Sequence, residues 1–202
     1  EDQTLVVTAT SNNEQITTSL HQGTKSLGQT ADGVMLQYED NDYLDGYSYF
    51  TSDRTLKRSN GETIETLVTH PDNHEINIGT IGVTGSLITY NVEITLEDEN
   101  GDTTYPSQLR SYNPDTGEDI TLIDDETFYS FYDHTAVGDK RLFTNNIGSD
   151  AELWVTDGTV EGTKSLGQTA DGVMLQYGDH DYLDGYLYFA DGRTLKRSNG
   201  ET

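Results

Sequence analysis

The chain copies itself. Residues 23–63, GTKSLGQTADGVMLQYEDNDYLDGYSYFTSDRTLKRSNGET, return as residues 162–202 with six substitutions at a constant offset of 139 residues. Long-period repetition builds a protein from units that bury their apolar faces only by stacking on neighbours. The second copy stops at Glu201-Thr202, where the first runs on into Ile64-Glu65-Thr66-Leu67-Val68. The expectation is therefore a window on a longer periodic polypeptide.

A shorter unit lies inside the long period: an apolar strand opening after a turn, then a second strand ending in a polar turn. Four examples align: Gly46 to Phe50 with Thr55 to Gly61, Ser86 to Ile88 with Gln108 to Tyr112, Arg141 to Phe143 with Glu152 to Thr159, and Gly185 to Phe189 with Thr194 to Gly200. The leucine at the heart of each second strand (Leu56, Leu109, Leu153, Leu195) recurs at intervals of 53, 44 and 42. Each long period thus holds three units of about 46 residues, the size of a four-stranded propeller blade.

Twenty Gly and three Pro, with Thr, Asp and Asn between short apolar runs, punctuate antiparallel strands. The first eight candidates are Thr4 to Thr8, Val34 to Tyr38, Tyr47 to Phe50, Thr55 to Arg58, Thr66 to Thr69, Glu75 to Ile78, Ser86 to Leu96 and Gln108 to Tyr112. Asp119 to Ile123, Thr127 to Tyr132, Arg141 to Thr144 and Glu152 to Thr156 follow. No long window carries helical apolar spacing without interruption.

Thirty-six acidic against eleven basic residues give a net charge of −25. A phosphate backbone or anionic bilayer would meet repulsion, and the cations are scattered pairs (Lys57-Arg58, Lys140-Arg141, Lys196-Arg197) rather than a patch. Nucleic acid and membrane insertion are excluded as expectations; self-association with further copies, and glycan or protein surfaces, remain. High charge with low hydrophobicity also marks disorder, but thirteen Tyr, five Phe and one Trp placed in strand-like runs argue for a fold. The absence of cysteine removes disulfides, thiolate metal sites and thiol nucleophiles.

Glu152-Leu153-Trp154-Val155-Thr156-Asp157-Gly158-Thr159, followed by Glu161-Gly162-Thr163, resembles the ELWxxDGT repeat of large secreted bacterial proteins. Degenerate versions lie at Thr194 to Gly200 and Thr55 to Gly61, where Lys replaces Trp; Glu14 to Thr18 with Gly23-Thr24 is weaker, and Gln108 to Tyr112 keeps only the Leu. The resemblance implies a propeller-like all-β array on an exported protein and brings no catalytic residues.

Three carboxylates and a glycine sit within seven residues in Asp40-Asn41-Asp42-Tyr43-Leu44-Asp45-Gly46, and again in Asp179-His180-Asp181-Tyr182-Leu183-Asp184-Gly185. Hard cations such as calcium take several oxygens from a tight loop, so Asp40, Asp42, Asp45, Asp179, Asp181 and Asp184 are candidate calcium ligands. The spacing departs from the EF-hand pattern, and Leu44-Asp45-Gly46-Tyr47 reads equally as a hairpin turn chosen for positive φ. Asp98, Asn100 and Asp102 form a second acidic candidate, where Asn100-Gly101 is itself a hairpin signal. His70 and His74 have the helical spacing of a zinc pair, but Pro71 between them breaks such a helix.

Acidic pairs such as Asp124-Asp125-Glu126 abound, nothing selects one for catalysis, and no nucleophile elbow, phosphate loop or dinucleotide fingerprint occurs. The tyrosines at 47 and 49 and at 186 and 188 share strand faces, as in core packing, and Trp154 is expected between units.

The expected fold class is all-β: tandem four-stranded blade-like repeats forming a β-propeller or propeller-like array. Its units are 1–45 (partial), 46–84, 85–138 (with an insertion), 139–184 and 185–202 (truncated). The expected function is a non-enzymatic extracellular structural or adhesive repeat protein of a surface filament, fibre or matrix; the alternative is a secreted propeller that binds glycan or protein.

Overall fold

The structure, a computed structural model, describes residues 5–11, 14–20, 41–52, 54–76, 81–124, 134–147, 150–169, 180–191 and 194–201. Among them there are strands and turns and no helix.

Strands β1 (Leu5–Ser11) and β2 (Glu14–Leu20) pair as a hairpin. Next comes a four-stranded antiparallel meander, β3 (Asn41–Leu44), β4 (Tyr47–Ser52), β5 (Thr55–Ser59) and β6 (Ile64–Thr69). In the following sheet, β7 (His74–Ile76) and β8 (Gly82–Thr84) both pair with one edge of β9 (Leu87–Ile94). A short hairpin of β10 (Leu96–Glu97) and β11 (Thr103–Thr104) precedes β12 (Ser107–Tyr112), which pairs with β9 and with β13 (Asp119–Asp124). A third meander holds β14 (His134–Val137), β15 (Lys140–Ile147), β16 (Asp150–Thr156) and β17 (Lys164–Thr169). The last is β18 (His180–Leu183), β19 (Tyr186–Asp191) and β20 (Thr194–Ser198).

The aligned strand pairs of the sequence are thus β4–β5, β9–β12, β15–β16 and β19–β20. Strands β3 and β18 lie on the N-terminal side of their opening hairpins, before Gly46 and Gly185. Candidate strands 34–38 and 127–132 lie outside the described residues. Strands β2, β3, β8, β11, β14, β17 and β18 escape the sequence reading because they are short or rich in Thr, Asp and Gln, and only pairing with a better strand makes them extended.

Two local devices recur. Ladder register shifts directly after Leu56, Leu109 and Leu153, and each time the extra residue on the fourth strand is a leucine: Leu67, Leu122 and Leu166. A bulge of this kind bends the strand and increases its twist, and here it turns an apolar side chain toward a core. The turns that leave β5, β16 and β20 are also alike. Gly61, Gly158 and Gly200 have φ of 81°, 84° and 79°, and each donates its N–H to the hydroxyl two residues before it, on Ser59, Thr156 and Ser198, at 3.1, 2.9 and 3.1 Å. The next side chain, Asn60, Asp157 or Asn199, accepts from the backbone two residues on, an Asx turn. The Asp-Gly-Thr of the quoted motif is therefore a turn with a positive-φ glycine.

The four sheets of three or more strands pack face to face in chain order. Tyr49 and Leu56 meet Ile76, Ile88, Tyr90, Val92 and Tyr112. Leu109, Leu122 and Ile123 meet Phe143 and Trp154. Val137, Leu142, Leu153 and Val155 meet Leu187 and Phe189. Alternation along a strand makes this possible, since Leu142 and Phe143, like Val155 and Trp154, serve opposite interfaces. Each fully buried Leu, Ile or Phe contributes about 1.5–3 kcal/mol, so the contacts between sheets stabilise the sheets they join. Trp154 lies between two sheets, 6.1 Å from the Phe143 ring, with its indole N–H on Glu152 at 2.9 Å.

Candidate functional site

Among the described residues, charged side chains are gathered with polar partners at two buried places. The first is centred on Arg141 of β15. Its Nη2 donates to Asp42 Oδ2 at 2.6 Å, its Nε to the Val83 carbonyl at 3.1 Å and its Nη1 to His134 Nδ1 at 2.6 Å. Asp42 Oδ2 also accepts the Val83 N–H at 2.6 Å, while Oδ1 takes the Tyr43 N–H at 2.9 Å. One guanidinium thereby ties three consecutive sheets together. Burial pulls Arg141 below its ordinary pKa and the Asp42 carboxylate opposes that shift. Gly82 gives the side chain room, because a Cβ there would overlap the Arg141 guanidinium.

The second place is centred on Tyr90 of β9. Its hydroxyl donates to Asp119 Oδ1 at 2.7 Å, and Arg110 holds Asp119 Oδ2 from Nη2 and Nε at 2.7 and 3.1 Å. Because the Tyr90 proton goes to Asp119, His70 Nε2, 3.2 Å from the Tyr90 oxygen, must be its donor. The His74 ring stacks on His70 at 6.0 Å. Burial pushes Tyr90 up, helped by Asp119. It pushes His70 down to about 4, with Arg110 adding to the effect. Both groups thus stay neutral near pH 7, and the cluster fastens the segment after β6 to β9, β12 and β13. The two histidines meet in a strand-turn-strand segment rather than on a helix.

Asn41–Leu44 is strand β3, and Leu44-Asp45-Gly46-Tyr47 is a two-residue hairpin with φ of 50° at Asp45 and 85° at Gly46. Asp184 and Gly185 repeat it at 51° and 83°. Asp42 faces Arg141, whereas Asp45 and Asp184 sit on exposed turns. Asp40 and Asp179 lie outside the described residues, as does the side chain of Asp181. In the second cluster, Asp98 accepts the N–H groups of Asn100 and Asp102 at 2.8 and 2.9 Å and the Asn100 side-chain amide at 3.2 Å. These bonds hold its carboxyl below the usual range and close the β10–β11 turn. Among the described residues, no group of three or more acidic or histidine side chains is placed to hold a metal ion.

A cleft of about 220 Å³ opens between the last two sheets, lined by Leu153, Gln168, Phe189, Lys196 and Arg197 among others. It brings Lys196 and Arg197 to one cleft in a chain of net charge −25.

No protein-family model matches the chain, and no curated protein matches it. Among the described residues, no helix is long and apolar enough to cross a membrane.

The Arg141 and Tyr90 centres are not visible in the sequence. Arg141 does stand in an apolar strand, Arg-Leu-Phe, where a cation calls for a partner, but the partner Asp42 lies 99 residues away.

Proposed function

We propose that the chain is a non-enzymatic, extracellular structural or adhesive repeat protein, a component of a surface filament, fibre or matrix, built of blade-like units in an open propeller-like array. The observation that carries this reading is the succession of interfaces: the sheet of β9, β12 and β13 and the β14–β17 sheet each pack one apolar face on the preceding sheet and one on the next. Such an arrangement extends by adding units. The two polar centres act as fasteners between strands and sheets, which suits a load-bearing part. Net charge of −25 keeps an exposed polymer dispersed and lets divalent cations, calcium among them, screen neighbouring acidic turns. The resemblance to the ELWxxDGT repeat of secreted proteins supports export.

A second reading, a propeller that binds glycan or protein, draws on the cleft with Gln168, Lys196 and Arg197. Sedimentation of native material and a glycan-binding screen separate the two. Concentration-dependent assembly without a discrete ligand supports the structural role, and a stable monomer that takes up one glycan class overturns it.

A further inference from the structure

Identical sequences in this chain have opposite exposures. Leu56 of β5 is 0% exposed, and its copy Leu195 of β20, in the same Thr-Leu-Lys-Arg-Ser strand, is 74% exposed. Leu44 packs on the first core, whereas its copy Leu183 is 60% exposed. Tyr49 is fully buried and its copy Tyr188 only partly so. Register does not differ, since β3–β4–β5 and β18–β19–β20 pair residue for residue at the 139-residue offset. Nor does the local ring contact, for Arg58 lies 4.4 Å over Tyr47 and Arg197 lies 4.4 Å over Tyr186.

What differs is the neighbour. In the first copy the face is covered by Ile76, Ile88, Tyr90, Val92 and Tyr112, and the β5 edge is closed by β6. In the last sheet, β20 has β19 alone as a strand partner among the described residues. The opposite face of that sheet is satisfied, with Leu187 and Phe189 packed on the preceding sheet.

We infer that the face of β18–β20 carrying Leu183, Tyr188 and Leu195 is a docking surface for one more sheet, with the sequence character of residues 64–124. That partner supplies a strand like Ile64–Thr69 to the β20 edge, with its register shift after Leu195, and an Ile/Tyr/Val face like that of β9 to the exposed leucines. The complementarity is already realised once in the molecule, between nearly identical residues, which identifies this occupant rather than any apolar partner. The inference rests on the stacked-unit reading above.

The chain has no cysteine, so a single Leu195→Cys reports on this face alone. Thiol alkylation is measured in the 202-residue chain and in a chain extended after Thr202 by residues 64–124, with Leu183→Cys as a second probe. The expected result is fast alkylation in the first and a rate on the order of 100-fold lower in the second, where reaction needs local opening. Equal rates in both chains overturn the inference. So does protection of the 202-residue chain that grows with its own concentration, because a second copy is then the occupant. Protection in an extended chain that forms no fibres upholds the docking surface while the filament reading fails; fibres with a reactive cysteine do the reverse.

Discussion

Arg141 Nη2 reaches Asp42 Oδ2 at 2.6 Å, joining residues 99 positions apart on two sheets with a third between them. The pair is mostly shielded, with side-chain exposures of 9% and 32%. Asp42→Asn leaves the buried guanidinium uncompensated and is expected to cost about 3 kcal/mol, the low end for breaking a buried pair. Gly82→Ala displaces the same guanidinium and should cost about as much, but far less in an Arg141→Met background, because coupled sites are non-additive. Urea denaturation of the double-mutant cycle checks this, and additivity would contradict it.

The twin leucines give a sharper contrast. Leu56→Ala empties a core position and is expected to lose about 2–5 kcal/mol. Leu195→Ala, the same substitution in the same local sequence, should stay within about 0.5 kcal/mol, as exposed changes do. Equal losses would mean that the last sheet is covered in solution.

This contrast also marks what the sequence can tell. The alternation of Tyr47 and Tyr49, the Asp-Gly hairpins and the recurring leucines Leu56, Leu109, Leu153 and Leu195 make the all-β class and the four aligned strand pairs legible, because strand period and turn chemistry are local. Long-range choices are not local. Asp42 reads as part of a ligand loop and lies in a strand bonded to Arg141; Leu56 and Leu195 read alike and end in different surroundings; the Tyr90 to Asp119 bond depends on the register of three strands. The bulges that recur after the leucines could have been suspected from the second leucine 11 or 13 residues on, at Leu67, Leu122 and Leu166.

Acid should loosen the Tyr90 cluster before it reaches most carboxylates. His70, facing Tyr90, Arg110, Asp119 and His74, has a folded pKa of about 4, below the ordinary 6.5. From pH 6.5 downward the unfolded chain takes up a proton that the folded chain refuses, so this contribution is complete above pH 6.5 and falls away toward pH 4. Between pH 7 and 5 the Tm of the natural chain should therefore drop a few degrees more than that of His70→Gln, roughly what a loss near 1 kcal/mol produces. Parallel Tm curves for the two proteins would remove His70 as the sensor.

Calcium is expected to act as a screening ion. The Asp42 oxygens are engaged by Arg141, Val83 and Tyr43, and those of Asp98 by its own turn. Tm in chelator should match Tm in calcium at equal ionic strength, to within about 1 °C. A rise confined to calcium would instead locate a site on the acidic hairpins, and Asp98→Asn would tell which one.

Electron microscopy of native material, prepared without denaturation, tests the stacked array most directly. Sheets packed face to face lie about 10 Å apart, so three sheets per 139-residue period predict fibres with an axial repeat near 30 Å. Dispersed discs of uniform diameter, with no axial repeat, would contradict the account and make this chain part of a closed propeller.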